Sequence, residues 1–295
     1  MEQKMRIAVL GGDARQVSAA EWLAASGCLV SGWGLCAEPA AVDMCGSPEA
    51  AVCNADVLLL PIPLSRDRLQ VNGTTLAISA LTALLRPGMT VLCGMPDGDW
   101  AHAAEQKGIR VIDYSRDEIF TIRNALPTAE GAVAIAMNEM RRTLFDSRVM
   151  VVGYGRIGKL LADLLIRMGA RVTVAARKST DLAVAALHGC QTWLISRTAE
   201  NEGYTLSAPR ERYHVIFNTV PSPLIGEPVL AALHRGTVLI DLASAPGGID
   251  YDAAGRLGLK TVIALSLPGK VAPVTAGEII GDCVLRYCEK GVISS

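Results

Sequence analysis

Short apolar runs alternate along the chain with longer amphipathic stretches, and that alternation predicts an α/β architecture built on parallel sheets. In the first 125 residues, Arg6–Leu10, Cys28–Trp33, Val57–Leu60, Thr90–Cys93 and Arg110–Ile112 read as strands, with helices at Ala14–Ser26, Thr74–Leu85 and Trp100–Lys107 between them. Right-handed crossovers would wind these into one doubly wound sheet. A long apolar stretch from Pro127 to about Leu144 reads as a linking helix, with Pro127 suited to its first turn and Glu130 to its positive end. The alternation then resumes with strands at Arg148–Val152, Arg171–Ala176, Val215–Phe217, Thr237–Asp241 and Thr261–Ala264. A last amphipathic stretch, Thr275–Glu289, reads as a C-terminal helix returning to the first domain. The expected organisation is two doubly wound parallel-sheet domains, residues 1–125 with 275–295 and residues 126–274, the second a Rossmann dinucleotide-binding domain.

Composition narrows the function. A chain of 295 residues suits two domains, each with its own core. Its net charge of −1 and 4% aromatic content give neither a basic footprint nor stacking platforms, so nucleic acid is not an expected partner. Apolar residues reach 51% but come in short runs, none approaching a membrane span. The first strand starts almost at once, leaving no room for a cleavable signal sequence, so a cytoplasmic address is expected. The cysteines at 28, 36, 45, 53, 93, 190, 283 and 288 contain no CxxC pair, and His102, His188, His214 and His234 have no ligand spacing; no metal site is expected.

The chemistry is concentrated after residue 148. Gly153-Tyr154-Gly155-Arg156-Ile157-Gly158 follows a buried-strand pattern and opens a helical one through Lys159 to Met168. In that setting Gly153 allows the tight turn, Gly155 lets backbone approach a pyrophosphate, and Gly158 permits close helix–strand packing. An NAD site usually ends the second strand with an acidic residue about 20 residues on, which binds the ribose 2′-hydroxyl. Here Ala175 and Ala176 precede Arg177, Lys178 and Ser179. No carboxylate repels a 2′-phosphate, and Arg177 and Ser179 can bind one, so NADP is the expected cofactor, with NAD possible. Two more strand-end turns, Asn218-Thr219-Val220-Pro221 and Asp241 to Gly248, are expected to meet the dinucleotide, with Asn218, Thr219, Ala243 and Ser244 beside it and Asp241 at the strand end. Gly11-Gly12 opens the first helix without GxGxxG spacing and reads as a substrate-side feature.

The order of domains and helices resembles the D-2-hydroxyacid dehydrogenase and S-adenosylhomocysteine hydrolase group. Departures limit that likeness: the turn that carries a substrate-orienting Arg in the hydroxyacid dehydrogenases is Leu242-Ala-Ser-Ala-Pro246 here, and Ser266-Leu-Pro-Gly269 stands where their catalytic His is expected. Several blocks are more closely similar to the A subunits of dipicolinate synthase, an enzyme of spore-forming bacteria. They are Ala8–Gln16, Arg116-Asp117, Asn124, Pro127–Gly131, the Gly153 motif, Asn218–Ser222, Asp241–Asp250 and Leu267–Gly277. The resemblance covers essentially the whole chain. It implies oxidation of a dihydrodipicolinate-type ring to pyridine-2,6-dicarboxylate with NADP as hydride acceptor, during sporulation and in the mother-cell cytoplasm. It also implies that the partner is the enzyme's flavoprotein-like B subunit, and a homo-oligomer is expected. The alternatives are an NAD(P)-dependent 2-hydroxyacid-type dehydrogenase and a non-catalytic nucleotide-binding scaffold.

A ring dicarboxylate needs cationic anchors. Arg15, in the first helix turn after Gly11-Gly12, is the first candidate, followed by Arg116 and Thr128. Asp13 or Glu130 could take the ring proton; Asp13 reads equally as a helix cap or as the ion-pair partner of Arg15, and Glu130 as a helix-terminus carboxylate. Arg66 and Arg68 read as solvated loop cations.

Overall fold

Ile7, Ala8, Val9 and Leu10 are all completely buried, as a strand covered on both faces must be, and they form the centre of the first sheet. The computed structural model describes residues 4–197, 204–209 and 211–289. Its first elements are β1 (Arg6–Leu10), α1 (Ala14–Ala25), β2 (Leu29–Trp33), β3 (Asp43–Met44), α2 (Pro48–Val52), β4 (Val57–Leu59), α3 (Ile78–Leu84), β5 (Thr90–Cys93), α4 (Gly98–Glu105) and β6 (Arg110–Asp113). The strands are all parallel, in the order β3-β2-β1-β4-β5-β6. That is the order of a dinucleotide-binding sheet.

The linking helix, α5, runs from Glu118 to Glu139, starting nine residues before the expected Pro127 and ending before Leu144. Asp117 explains the early start: its Oδ1 accepts the Phe120 N–H at 2.7 Å, satisfying a first-turn donor. Pro127 therefore lies inside the helix. The alternation continues with β7 (Arg148–Val152), α6 (Arg156–Arg167), β8 (Arg171–Ala176), α7 (Ser179–Leu187) and β9 (Gln191–Leu194). A short antiparallel pair, β10 (Ser196–Arg197) and β11 (Tyr204–Thr205), precedes β12 (Val215–Asn218), α8 (Glu227–Ala231), β13 (Val238–Asp241), α9 (Tyr251–Arg256) and β14 (Lys260–Ile263). The second large sheet has the order β14-β13-β12-β7-β8-β9, the same permutation as the first. Both sheets are the parallel, helix-flanked Rossmann type expected from the alternation of apolar runs.

Two helices follow the last strand, α10 (Leu267–Val271) and α11 (Pro273–Glu289). The chain divides into two compact units, Met1–Asn124 with Pro268–Ser295 and Ala125–Leu267. Residues 1–3 and 290–295, expected from the sequence to belong to the first domain, lie outside the described residues. Within the first unit α11 packs on α1 at close range. A Cβ built on Gly277 would lie 2.5 Å from Ser18 Cβ and 2.6 Å from the Arg15 carbonyl oxygen, so only glycine admits this approach. Ile279, Ile280, Cys283 and Val284 of α11 join Ile7, Val9, Leu23 and Leu59 in one face of that core. Among the described residues no helix is long and apolar enough to cross a membrane, and no group of three or more His, Cys, Asp or Glu side chains could hold a metal ion.

Candidate functional site

In the second unit, β7 ends at Val152 and the chain turns at Gly153, with φ +99, into α6. A Cβ at Gly153 would run into Thr219 Oγ1 and lie 2.7 Å from Val220 Cγ2, and one at Gly158 would strike the Gly153 carbonyl oxygen. These two glycines are fixed by the protein's own packing. Gly155 is different: its φ is −82 and a Cβ there would meet nothing within 4 Å. It caps α6 without any side-chain hydrogen bond. The first-turn N–H groups of a helix lack intrahelical acceptors, so an open glycine at an uncapped helix start suits a pyrophosphate. Beside it, Tyr154 is buried with Lys159 Nζ 5.6 Å from its ring centre; Arg156 is exposed and Ile157 half-buried.

Arg177, Lys178 and Ser179 lie exposed where β8 gives way to α7, and Lys178 occupies the helix cap without capping it through its side chain. The Arg177 guanidinium lies 5.4 Å from the Tyr204 ring centre, and Arg197 lies 5.8 Å from the same ring. Tyr204 and Arg197 are not legible in the sequence because they meet only through the two-residue strands β10 and β11, too short to show a period.

The strand-end turns are arranged differently from expectation. Asn218 is wholly buried, and its Nδ2 donates to the Val220 carbonyl at 2.9 Å and to Asp241 Oδ1 at 2.8 Å while its Oδ1 accepts the Val220 N–H. Asp241, also wholly buried, accepts four bonds, from Asn218, the Ala243 N–H, the Gly248 N–H and the Tyr251 hydroxyl at 2.7 Å. Their side chains hold the two turns in place, whereas the sequence suggested a polar contact from Asn218 to a dinucleotide. A buried carboxylate needs this many donors. Burial, then the bond to Asp241, pushes the Tyr251 hydroxyl up to about 12, so it stays a donor. Thr219 Oγ1 donates to the Val152 carbonyl at 3.0 Å. Pro221 and Ser244 are exposed, and Ala243 is buried.

In the first unit, Asp13 and Arg15 form a bidentate ion pair, Nε to Oδ1 and Nη2 to Oδ2, both 2.8 Å. Asp13 also caps α1 through a capping box with Gln16, and Arg15 Nη2 donates to the Ile62 carbonyl at 2.7 Å. Arg15 is buried, with Gly269 against it: a Cβ there would lie 2.9 Å from Arg15 Nε. Burial pushes the Asp13 carboxyl up, but the Arg15 hydrogen bond and charge, an Arg15 backbone N–H and the charge of Arg66 outweigh it and hold it below the usual carboxylate range. Gln16 is wholly buried, and its Nε2 has no hydrogen-bond partner among the described residues. Nothing in the sequence singles out this donor, because a glutamine at the third helix position reads simply as part of the cap.

The Gly11-Gly12 turn does not offer its amides to an anion, as the sequence suggested. Gly11 N–H donates to the Trp33 carbonyl at 2.9 Å and Gly12 N–H to the Asn72 carbonyl at 2.7 Å. Gly73 packs so closely on Gly12 that a Cβ would strike the Gly12 carbonyl, and Thr74 lies against Gly11 and Gly34. The protein's own Asn72–Thr74 segment thus fills the place where a Rossmann turn would cradle a pyrophosphate. Arg116 is exposed and pairs with Asp113 at 3.3 Å. Thr128 is buried on α5, and Glu130 on the same helix is exposed. Arg68 approaches Asp97 no closer than 3.9 Å, both partners being at the surface.

Residues 6–115 match the family described as the N-terminal domain of the dipicolinate synthase A subunit. The A subunit of dipicolinate synthase from Bacillus subtilis (strain 168) is 34% identical over 184 residues, covering 62% of this chain and 59% of that protein. The crystal structure of the dipicolinate synthase A subunit from Bacillus halodurans extends the match: 28% identity, 96% of this chain, 97% of that one and a TM-score of 0.81. In sequence over parts of its length, and in fold over nearly all of it, the chain is similar to dipicolinate synthase A subunits. For the crystal structure of the same subunit from Bacillus subtilis, the match covers 100% of this chain and 99% of that one, at 26% identity and a TM-score of 0.83. The curated sequence match spans less than two thirds of its relative, whereas the structural matches run the full length. The fold is also that of L-alanine dehydrogenase and of D-lactate dehydrogenase from Escherichia coli, at 15% and 14% identity and TM-scores of 0.66 and 0.60.

Proposed function

We propose that the chain oxidises a dihydrodipicolinate-type ring to pyridine-2,6-dicarboxylate, with NADP as hydride acceptor. The observation that carries the cofactor assignment is the open Gly155 cradle followed, at the end of β8, by Arg177 in place of a carboxylate. NADP, when bound, supplies the hydride acceptor; the chain's own residues hold and orient it. Gly155 and the first turn of α6 receive the pyrophosphate, while Arg177, Lys178 and Ser179, with Arg197 close by, receive the 2′-phosphate. Tyr154, Arg156 and Ile157 flank the cradle, and Thr219, Val220, Pro221, Ala243 and Ser244 border the dinucleotide on turns set by Asn218 and Asp241.

Loss of hydride and a proton from a dihydropyridine yields an aromatic ring, so alignment is the main demand on the protein. Arg15 anchors a ring carboxylate with the unpartnered Gln16 amide beside it, and Arg116 and Thr128 are further anchors. With Asp13 engaged by Arg15 and its carboxyl held low, Glu130 is the better proton acceptor of the two. The reaction is proposed to proceed in the mother-cell cytoplasm during sporulation, in a homo-oligomer working with the flavoprotein-like B subunit.

The test combines the purified chain, its partner, freshly generated precursor and NADP. Formation of NADPH together with the near-ultraviolet absorption of dipicolinate is the expected result. NADPH formed only from a 2-hydroxyacid would replace this reading, and dinucleotide binding without hydride transfer in any assembly would leave a scaffold. Arg177→Ala should weaken NADP by about 10- to 100-fold, as expected for losing a charge-assisted bond, and leave NAD nearly unchanged.

A further inference from the structure

At the amino ends of the second unit's strands, away from Gly153, a cavity of about 450 Å³ is lined by Arg141, Arg142, Arg212, His214, Arg235 and Lys260, with Glu139 as its one carboxylate. A volume of this size is within the range of small-molecule sites, roughly 300–1,000 Å³. Glu139 is already paired with Lys260. Next to it, a recess of about 360 Å³ shares Arg142, Arg212 and His214 and adds Arg148, Arg171 and Asp146. Those additions are also paired, Arg171 with Asp146 at 2.6 Å and Arg148 with Glu211 at 3.8 Å. Among the described residues no carboxylate pairs with Arg141, Arg142, Arg212 or Arg235.

The hydrogen bonding at His214 gives this charge a direction. The Arg148 N–H donates to Nδ1 at 3.0 Å, so a neutral imidazole carries its proton on Nε2. Nε2 faces Arg142 Nη1, which is also a donor. Two donors meet there without an acceptor, and Arg212, whose Nη2 lies beside Gly236, lines the same cavity. Burial, then the charges of Arg142, Arg212 and Arg148, depress the His214 pKa, while Asp146 acts the other way. An oxyanion would accept from both Nε2 and Nη1 and relieve the repulsion among the guanidiniums.

We propose that this cavity binds a small multivalent oxyanion, one with two phosphate or carboxylate groups close together, at a site separate from the dinucleotide cradle. Binding of inorganic pyrophosphate or pyridine-2,6-dicarboxylate to the full chain would be followed through the histidine imidazole resonances, with His214 assigned by its loss in His214→Gln. The expected result is a saturable shift of His214 with at least one probe, weakened at least tenfold in Arg142→Gln/Arg235→Gln, and no such shift with NADP. The probe that binds more tightly distinguishes a phosphate from a carboxylate source. Both substituted side chains are at the surface, and Arg212→Gln provides an independent variant should the pair fail to fold. The proposal is overturned if neither probe moves His214, if chloride at equal ionic strength gives the same shift, or if the charge-neutral variant responds undiminished.

Discussion

Asp13 shows how a residue's neighbours decide its chemistry. Its sequence position, before a helix and two residues from an arginine, suits a cap, an ion pair or a general base. The structure gives it the first two roles together: both oxygens engage Arg15 and the carboxyl is held below its ordinary range. A base that must take a proton near neutral pH needs the opposite shift. Because the folded-state pKa is depressed, the ionised pair contributes stability above the unfolded value, and that contribution disappears as pH falls through the folded value. The stability difference between the native chain and Asp13→Asn should therefore be constant near neutrality and shrink below the ordinary carboxyl range of about 4. Urea unfolding at stepped pH measures it. A difference that persists unchanged into acid would show that the carboxylate charge contributes nothing.

At the scale of the element, the turn from β7 into α6 separates two demands that the motif alone mixes. Gly153 and Gly158 meet protein atoms, whereas Gly155 faces open space. Gly153→Ala must strain a positive φ and displace Thr219, and Gly158→Ala must push α6 from the Gly153 carbonyl, so each should cost about 1–3 kcal/mol of stability. Gly155→Ala, at an ordinary φ, should change stability by less than about 0.5 kcal/mol yet weaken the dinucleotide at least tenfold. Thermal unfolding without ligand and fluorescence titration with NADPH give the two numbers. Equal losses of stability at all three positions would mean that Gly155 is also a packing residue. The central strands were legible for the same local reason as this turn: their apolar runs are buried on both faces. The start of α5 was not, because Pro127 resembles a first-turn residue and the signal that begins the helix is the Asp117 carboxylate, itself held by Arg286 and Tyr287 of α11. Contacts of such sequence separation leave no local period. The occupied side chains of Asn218 and Asp241 were hidden in the same way, since their mutual bond joins neighbouring strands.

For the whole molecule, the repeated strand order poses a question of stoichiometry. Each unit contains a six-stranded sheet of the dinucleotide-binding order, and each has glycines after its first strand. Topology alone would allow two nucleotides per chain. The decisive difference is which groups the amides meet. Gly12 donates to the Asn72 carbonyl and Gly73 is packed on Gly12, so a nucleotide there would have to displace the protein's own segment and leave the Asn72 carbonyl without its donor. Gly155 and the start of α6 carry no such plug. Titration calorimetry should therefore find one NADP per chain, and Gly155→Ala should weaken that single event without revealing a second. Two equivalents in the native chain, or one retained at full affinity in Gly155→Ala, would place a nucleotide on the first sheet and remove the grounds for assigning Arg15 and Gln16 to a carboxylate-bearing substrate.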